Sequence, residues 1–384
     1  MAVLFVASVY RHLTAFHIPY LMLLRSWGYE VLVAARGNSG REQLQELGFS
    51  CVDIPFARSP YSSDNFAAFW SIRDLLSRRR DIGLIQTNTP VASFLTSLAA
   101  RSVGFAGSLL HMLHGFYFQV GGPAKDWILY YPPEYLMARF TDSLICINQE
   151  DFRVAQRFRL RRGGKVYYVP GVGYDERIYN PGDPDMKRAI RDRLGLADES
   201  TFLIAYVAEI NYNKNHLQLL NALRLVNDRG YNAKALVIGD GKLSETMRFE
   251  AVRLGLGGQA VFLGHRDDVP DILKACDAAA LFSHREGLPR SLMEAAGTGL
   301  PLVATDIRGN RDIVRHGANG FVVPVGEYGV TSAALIQLIS DEALRTNMGL
   351  ESRRIAHEYS LSGVMPMMES VYRECLCVAL DAQR

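Results

Sequence analysis

Short apolar runs of strand length alternate with amphipathic stretches of helix length through most of this chain, and no other feature restricts its folding as strongly. The first run, VLFVAS, is followed by AFHIPYLMLLRSWG, whose apolar spacing is helical and which Gly28 ends; YEVLVAAR is a second strand, closed by the loop GNSG. Strand, helix, strand in this order is the first unit of a parallel sheet. Further strands are expected at CVDIPF, IGLIQTN, SLLHMLHG, SLICIN and KVYYVPGVGYD, with helices such as NFAAFWSIRDLLSRRR between them.

The alternation breaks once, at PGVGYDERIYNPGDPD, where three prolines and three glycines stand among polar residues. It then restarts with strands at FLIAYVAE, AKALVIGD, AVFLGH, AAALFSH, PLVATD and GFVVPV, separated by helices near 215–229, 243–254, 268–275, 290–298, 310–315 and 329–340. At 384 residues the chain exceeds the size at which one core stops growing. The expected fold class is therefore α/β, with two sequential Rossmann-like, doubly wound parallel-sheet domains at 1–175 and 176–360 and a C-terminal helix within 361–384, which in such two-domain chains often packs back on the first domain although the sequence itself does not show it.

Composition excludes several classes. With 48% hydrophobic and 21% charged residues and no low-complexity tract, the chain is not disordered. A formal net charge of +2 argues against a broad basic surface for nucleic acid. The five cysteines, Cys51, Cys146, Cys276, Cys375 and Cys377, form no CxxC pair and read as reduced thiols of a cytoplasmic protein. No window of about 18 apolar residues offers a spanning helix.

The segment SHREGLPRSLMEAAGTGLPLVATD, Ser283 to Asp306, carries two glutamates, Glu286 and Glu294, separated by seven residues. Glu286 sits at the carboxyl end of the strand AAALFSH, where open parallel sheets bind their ligands. Pro289 suits the first position of a helix, so the helix is expected from Leu288, with unpartnered amides around Arg290 to Leu292 facing the same crevice. The two carboxylates are then about 10 Å apart with an anion-attracting helix end between them. A nucleotide sugar has the matching shape, with sugar hydroxyls for Glu286, diphosphate for the helix end and ribose hydroxyls for Glu294. A glycoside hydrolase fits worse, because both its carboxyl groups must reach one anomeric carbon.

That segment, with GANGFVVPVG after it, resembles the donor-site signature of the family 4 retaining glycosyltransferases of GT-B fold, in which two such domains face each other across a cleft. FHIPYL, HGFYF, GVGYDERIYN, EINYNKNHLQLLNAL and DIRGNRDIV are similar to bacterial transferases of capsular and exopolysaccharide synthesis. The resemblance implies transfer of a hexose or N-acetylhexosamine from a nucleotide sugar, UDP-linked, to a polyprenyl-diphosphate-linked glycan, on the inner face of the plasma membrane. It implies that Lys214 grips the donor diphosphate, that His114 lies near the transferred sugar, and that Glu286, Glu294, Gly287, Leu288, Arg290, Ser291, Glu209 and Arg266 line the donor site. Glu209 departs from the pattern, since many relatives have an Arg there; Arg290 and Lys242 are alternatives for balancing the second negative charge. In retaining members the departing phosphate oxygen helps to deprotonate the acceptor, which suits a chain without an evident nucleophile or base.

No metal and no other cofactor is expected, the one DxD, Asp183 to Asp185, reading as a helix cap. His111, upstream of His114 and expected on the same face of its strand, is the decoy beside it. On the acceptor side, His12, His17 and Tyr117 are candidates, within SVYRHLTAFH and the aromatic run GFYFQVGGPAKDWILYYPPEY. The basic runs at Ser77–Arg80 and Arg157–Lys165 are either solvated faces or contacts to anionic lipid. Two alternatives stand beside transfer: a non-hydrolysing nucleotide-sugar epimerase, which needs no acceptor, and a nucleotide-sugar-binding protein without chemistry.

Overall fold

The structure is a computed structural model describing residues 1–57 and 59–383. Its first sheet contains β1 (Ala2–Val9), β2 (Glu30–Arg36), β3 (Ser50–Asp53), β4 (Ile82–Thr87), β5 (Ser108–Leu113), β6 (Ser143–Cys146) and β7 (Lys165–Tyr168), in the order β3-β2-β1-β4-β5-β6-β7. The second contains β8 (Phe202–Val207), β9 (Ala233–Ile238), β10 (Ala260–Gly264), β11 (Ala278–Leu281), β12 (Leu302–Thr305) and β13 (Gly320–Val323), in the order β10-β9-β8-β11-β12-β13. Every pairing is parallel. Each strand overlaps the segment where the alternation places it, β1 running one residue past VLFVAS at each end and β3 starting one residue before CVDIPF. Helices cover both faces of such sheets, so inner strands are apolar on both sides. Ala2 to Ala7 of β1, for example, are fully buried.

Strand order reverses direction between β1 and β4 in one sheet and between β8 and β11 in the other. At such a point two neighbouring strands send their following loops to opposite faces, and the crevice left between them is where ligands bind. In the first sheet the amide of Ser8 donates to Thr89 Oγ1 at 2.9 Å, and the two hydroxyl oxygens lie 2.9 Å apart, joining the end of β1 to the loop after β4.

Several helices differ from expectation. AFHIPYLMLLRSWG is not one helix: Tyr10–Phe16 and Ile18–Ser26 are separate, with His17 at the break. Pro19 has no N–H to continue the first helix, and it occupies the opening turn of the second. Helix Pro184–Arg193 begins at the expected cap, whereas Glu342–Ala356 was not anticipated. Asp183 caps the former by accepting from the Met186 amide at 2.7 Å, so the DxD motif starts a helix. The aromatic run contains the helix Ala124–Ala138, with Pro132 and Pro133 inside it. Trp127, Tyr131 and Tyr135 of this helix pack on Phe118 and Phe158, which gives those three rings a core role.

The chain divides into two compact units, Met1–Val172 with Val364–Arg384, and Gly173–Gly363. The last helix, Leu361–Gln383, buries Val364, Met368, Val371, Tyr372, Cys375, Leu376 and Ala379, a helical stripe. Tyr372 Oη donates to Gln86 Oε1 of β4 at 2.7 Å, and Arg373 lies 4.3 Å over the Trp27 ring, so this helix completes the first unit. No helix of the described residues is long and apolar enough to cross a membrane.

Candidate active site

In the second unit the loops after β8 and β11 leave the sheet side by side at its switch point, and three polar links hold them together. Tyr206, fully buried in β8, donates its hydroxyl to the Lys214 carbonyl at 2.5 Å and accepts from the Phe282 amide at 2.9 Å. Asn213 Nδ2 donates to the Arg285 carbonyl at 2.9 Å, and the His284 amide donates to the Asn213 carbonyl at 2.8 Å. A third loop, Gly239-Asp240-Gly241 after β9, supports the first. A Cβ on Gly239 would come within 2.1 Å of the Ala208 carbonyl oxygen, and one on Gly241 within 2.3 Å of that of Ile210. The glycines let two backbones touch, which gives this weak turn signal a specific task.

This framework brings Lys214 Nζ to 2.5 Å from Glu286 Oε1, the side chains being 22% and 11% exposed. The helix that follows is Arg290–Gly297, and Pro289 is its N-cap in an extended conformation rather than its first residue. The Leu292 amide is taken by the Pro289 carbonyl at 3.1 Å, so it is not among the donors offered to a ligand. Four residues into the helix, Glu294 accepts from Arg290 Nε at 2.7 Å. Burial pushes the Glu294 carboxyl up from its ordinary value, and Arg290 and the Tyr179 hydroxyl oppose the shift. Two carboxylates, each held by a cation, thus flank the start of one helix.

Three contributors to this site were missed from the sequence. Arg308, buried to 1% exposure, donates Nε to the Glu286 carbonyl at 3.1 Å and so positions that residue through its backbone. Gly309 has φ +78°, and a Cβ there would lie 2.4 Å from the Gly287 carbonyl oxygen. Tyr179 reaches Glu294. The cue for the first two was DIRGN, a Gly directly after a strand-ending turn; nothing local marks Tyr179.

The remaining donor-side candidates divide. Gly287 and Ser291 are half-buried and Leu288 buried, all within the loop and first turn just described. Arg266, after β10, makes a two-pronged pair with Asp268 at 2.7 and 2.6 Å, so its charge is already balanced. Glu209 and Lys242 are exposed.

In the first unit, His12, His17 and His114 come together. Ring centroids are 4.7 Å apart for His12 and His114, 5.4 Å for His12 and His17, and 5.7 Å for His17 and His114. His17 is fully buried, and neither of its ring nitrogens has a hydrogen-bond partner in the protein. Leaving a buried donor unpaired costs roughly 1–3 kcal/mol. Burial, reinforced by the neighbouring imidazoles, holds His17 and His114 well below the usual histidine range.

His111 does not share a face with His114. The two are three residues apart, an odd step that puts them on opposite sides of a strand. His111 Nδ1 instead lies 3.1 Å from Thr87 Oγ1, 3.1 Å from the Thr87 carbonyl oxygen and 3.0 Å from Ser93 Oγ, inside the sheet packing. Tyr117 is 43% exposed and lies against Tyr130, with 5.1 Å between ring centroids.

Two doubly wound parallel sheets in sequence match the fold of Anabaena HepE, solved in complex with UDP and glucose. The TM-score is 0.79 at 20% identity, over 97% of this chain and all of that one, and the architecture is that of the GT-B glycosyltransferases. A family model described as Glycosyltransferase Family 4 matches residues 22–171, and one described as Glycosyl transferases group 1 matches residues 187–355. EpsD of Bacillus subtilis (strain 168), described as a glycosyltransferase, is 32% identical over 371 residues, 96% of each chain. The Escherichia coli UDP-Gal:alpha-D-GlcNAc-diphosphoundecaprenol alpha-1,3-galactosyltransferase is 27% identical over 274 residues, 70% of this chain and 69% of that one. The chain belongs to the family 4 glycosyltransferases, among relatives of bacterial exopolysaccharide and capsule synthesis.

Proposed function

We propose that this glycosyltransferase moves a hexose or N-acetylhexosamine from a UDP-linked donor to a polyprenyl-diphosphate-linked glycan, with retention at the anomeric carbon and without a metal at the diphosphate. The observation that carries the reading is the Lys214–Glu286 pair at the switch point of the second sheet, with the Arg290–Glu294 pair in the first turns of the helix that follows Glu286. Lys214 supplies a cation for the leaving diphosphate, and a fixed charge aimed at developing negative charge is the largest catalytic effect a site without nucleophile or base can exert. Glu286 accepts from hydroxyls of the sugar, and Glu294 from those of the ribose. Donor binding therefore exchanges each intramolecular ion pair for contacts along the ligand. The lipid-linked acceptor is supported by the Escherichia coli relative, a galactosyltransferase acting on GlcNAc-diphosphoundecaprenol.

A lipid-linked acceptor calls for contact with a membrane surface. The helix Ala124–Ala138 exposes Ile128, Leu129 and Leu136 while its Tyr131 and Tyr135 rings pack on Phe158. Arg157 and Arg159 flank Phe158 and are exposed. This combination of apolar and cationic side chains suits anionic lipid. The run Ser77–Arg80 does not join it, since Arg78 pairs with Asp74 and Arg79 with Glu30 and Asp81.

The test incubates the purified chain with a panel of nucleotide sugars and lipid-linked acceptors, in EDTA, and identifies products by mass and anomeric configuration by NMR. A product of retained configuration, lost in Glu286→Ala, supports the proposal. An inverted product, or turnover of donor only when a divalent ion is restored, overturns it. Ile128→Asp with Leu129→Asp should reduce co-sedimentation with anionic vesicles severalfold at low salt while leaving transfer to a short soluble acceptor intact.

A further inference from the structure

We propose that His12, His17 and His114 form a binding site for one divalent transition-metal ion of the Zn2+ type. One ligand atom of each lies within 4.8 Å of the others. His12 belongs to the helix Tyr10–Phe16, His17 stands at the break after it, and His114 follows β5 directly, so all three gather beyond the carboxyl edge of the first sheet. The break brings His12 and His17 together. In an unbroken helix, five residues at about 100° each would separate their side chains by about 140°. Here Pro19 ends the helix, and the two rings are 5.4 Å apart.

The geometry suits coordination better than stacking. The His114 ring meets those of His12 and His17 at 86°, so the imidazoles converge from different directions. Zn–N bonds of about 2.0–2.1 Å place tetrahedral nitrogens about 3.4 Å apart, which modest side-chain rotations reach from the observed spacing. The donor set is three imidazoles and no carboxylate, which selects borderline ions over Mg2+ or Ca2+ and leaves one position for a water or a hydroxyl.

Burial adds a separate argument. A neutral imidazole carries one donor and one acceptor, yet neither nitrogen of His17, nor Nε2 of His114, meets a hydrogen-bond partner in the protein. Buried polar atoms left in this way call for a reason, and a bound ion is one. The rings of Phe5, Phe16 and Tyr20 lie 5.0–6.2 Å from members of the trio, an apolar surround that favours neutral, ligating imidazoles over charged ones. The site does not depend on the transfer reading above. If that reading holds, an ion on His114 blocks the residue near the transferred sugar, and loading the site depresses transfer.

The test uses the full chain, stripped with EDTA and desalted, titrated with Co2+ by visible absorption and with Zn2+ by competition against a chromophoric chelator. One ion per chain at a dissociation constant of about 1 μM or tighter is expected. His12→Gln, His17→Gln and His114→Gln should each weaken it by at least about tenfold, and the exposed His357→Gln should leave it unchanged. Zn2+ should raise the thermal midpoint of the parent chain and not that of the triple His→Gln chain. Should His17→Gln fail to fold, the half-buried His114 and His12 carry the same comparison. Binding by the parent no tighter than by the triple variant, or equal weakening by His357→Gln, overturns the site. Binding without inhibition of transfer upholds it and counts instead against the role given to His114.

Discussion

Lys214 and Glu286 neutralise each other, yet the proposed reaction needs them separately, one on diphosphate and one on hydroxyls. Substituting either by Ala should lower kcat/KM by about 10²–10³, the usual loss when one fixed charge-stabilising group is removed. Lys214→Ala also strands a mostly buried carboxylate, at about 1–3 kcal/mol, between the limits for exposed and buried pairs. Lys214→Ala combined with Glu286→Gln should therefore recover the thermal midpoint and leave transfer lost. His111 offers a second residue-level prediction. Burial lowers its pKa to about 4, with the Thr87 carbonyl opposing, so as pH falls below about 6.5 the unfolded chain takes the proton first. Its contribution falls through the window from about 6.5 to 4, by up to about 1.4 kcal/mol per pH unit. The stability difference between the parent chain and His111→Asn, from urea unfolding, should be constant above pH 7 and shift towards the variant across that window. Sequence singled out both glutamates and Lys214; His111, three residues before His114, falls on the opposite side of the strand because side chains alternate with period two.

Among the elements, the strands were legible because a strand buried on both faces is a continuous apolar run. The helix Glu342–Ala356 was not. Its buried positions are Met348, Gly349, Ser352, Ile355 and Ala356, correctly spaced but partly small or polar. A Cβ on Gly349 would sit 2.4 Å from the Gly299 carbonyl oxygen, so backbone proximity rather than hydrophobicity chose that residue. The same logic gives a prediction at the loop after β12. Gly309→Ala meets both a left-handed φ of +78° and the Gly287 carbonyl, so it should displace the segment bearing Glu286. A loss of at least about 1–2 kcal/mol in urea unfolding is expected from the backbone alone. Transfer should drop with it, although no group that touches substrate has changed.

For the whole molecule, the decisive feature is that the first unit is discontinuous in sequence. Its last helix fills the stripe from Val364 to Ala379, and the Tyr372 hydroxyl satisfies the buried Gln86. A fragment of residues 173–363 should fold alone, whereas 1–172 should aggregate unless residues 364–384 are supplied; circular dichroism and gel filtration distinguish these outcomes. Tyr372→Phe in the full chain should cost about 1–3 kcal/mol, the penalty for leaving a buried acceptor unmet, read by urea unfolding. The alternation of strands and helices and the number of sheets follow from periodicities that span a few neighbours, and these the amino-acid order determines by itself. The pairing of Lys214 with Glu286 across 72 residues, the meeting of His114 with His12 and His17, and the return of the last helix to the first sheet were decided only in the tertiary structure. Contacts between distant segments depend on loop paths and strand order, which leave no repeat in the local sequence from which they could be read.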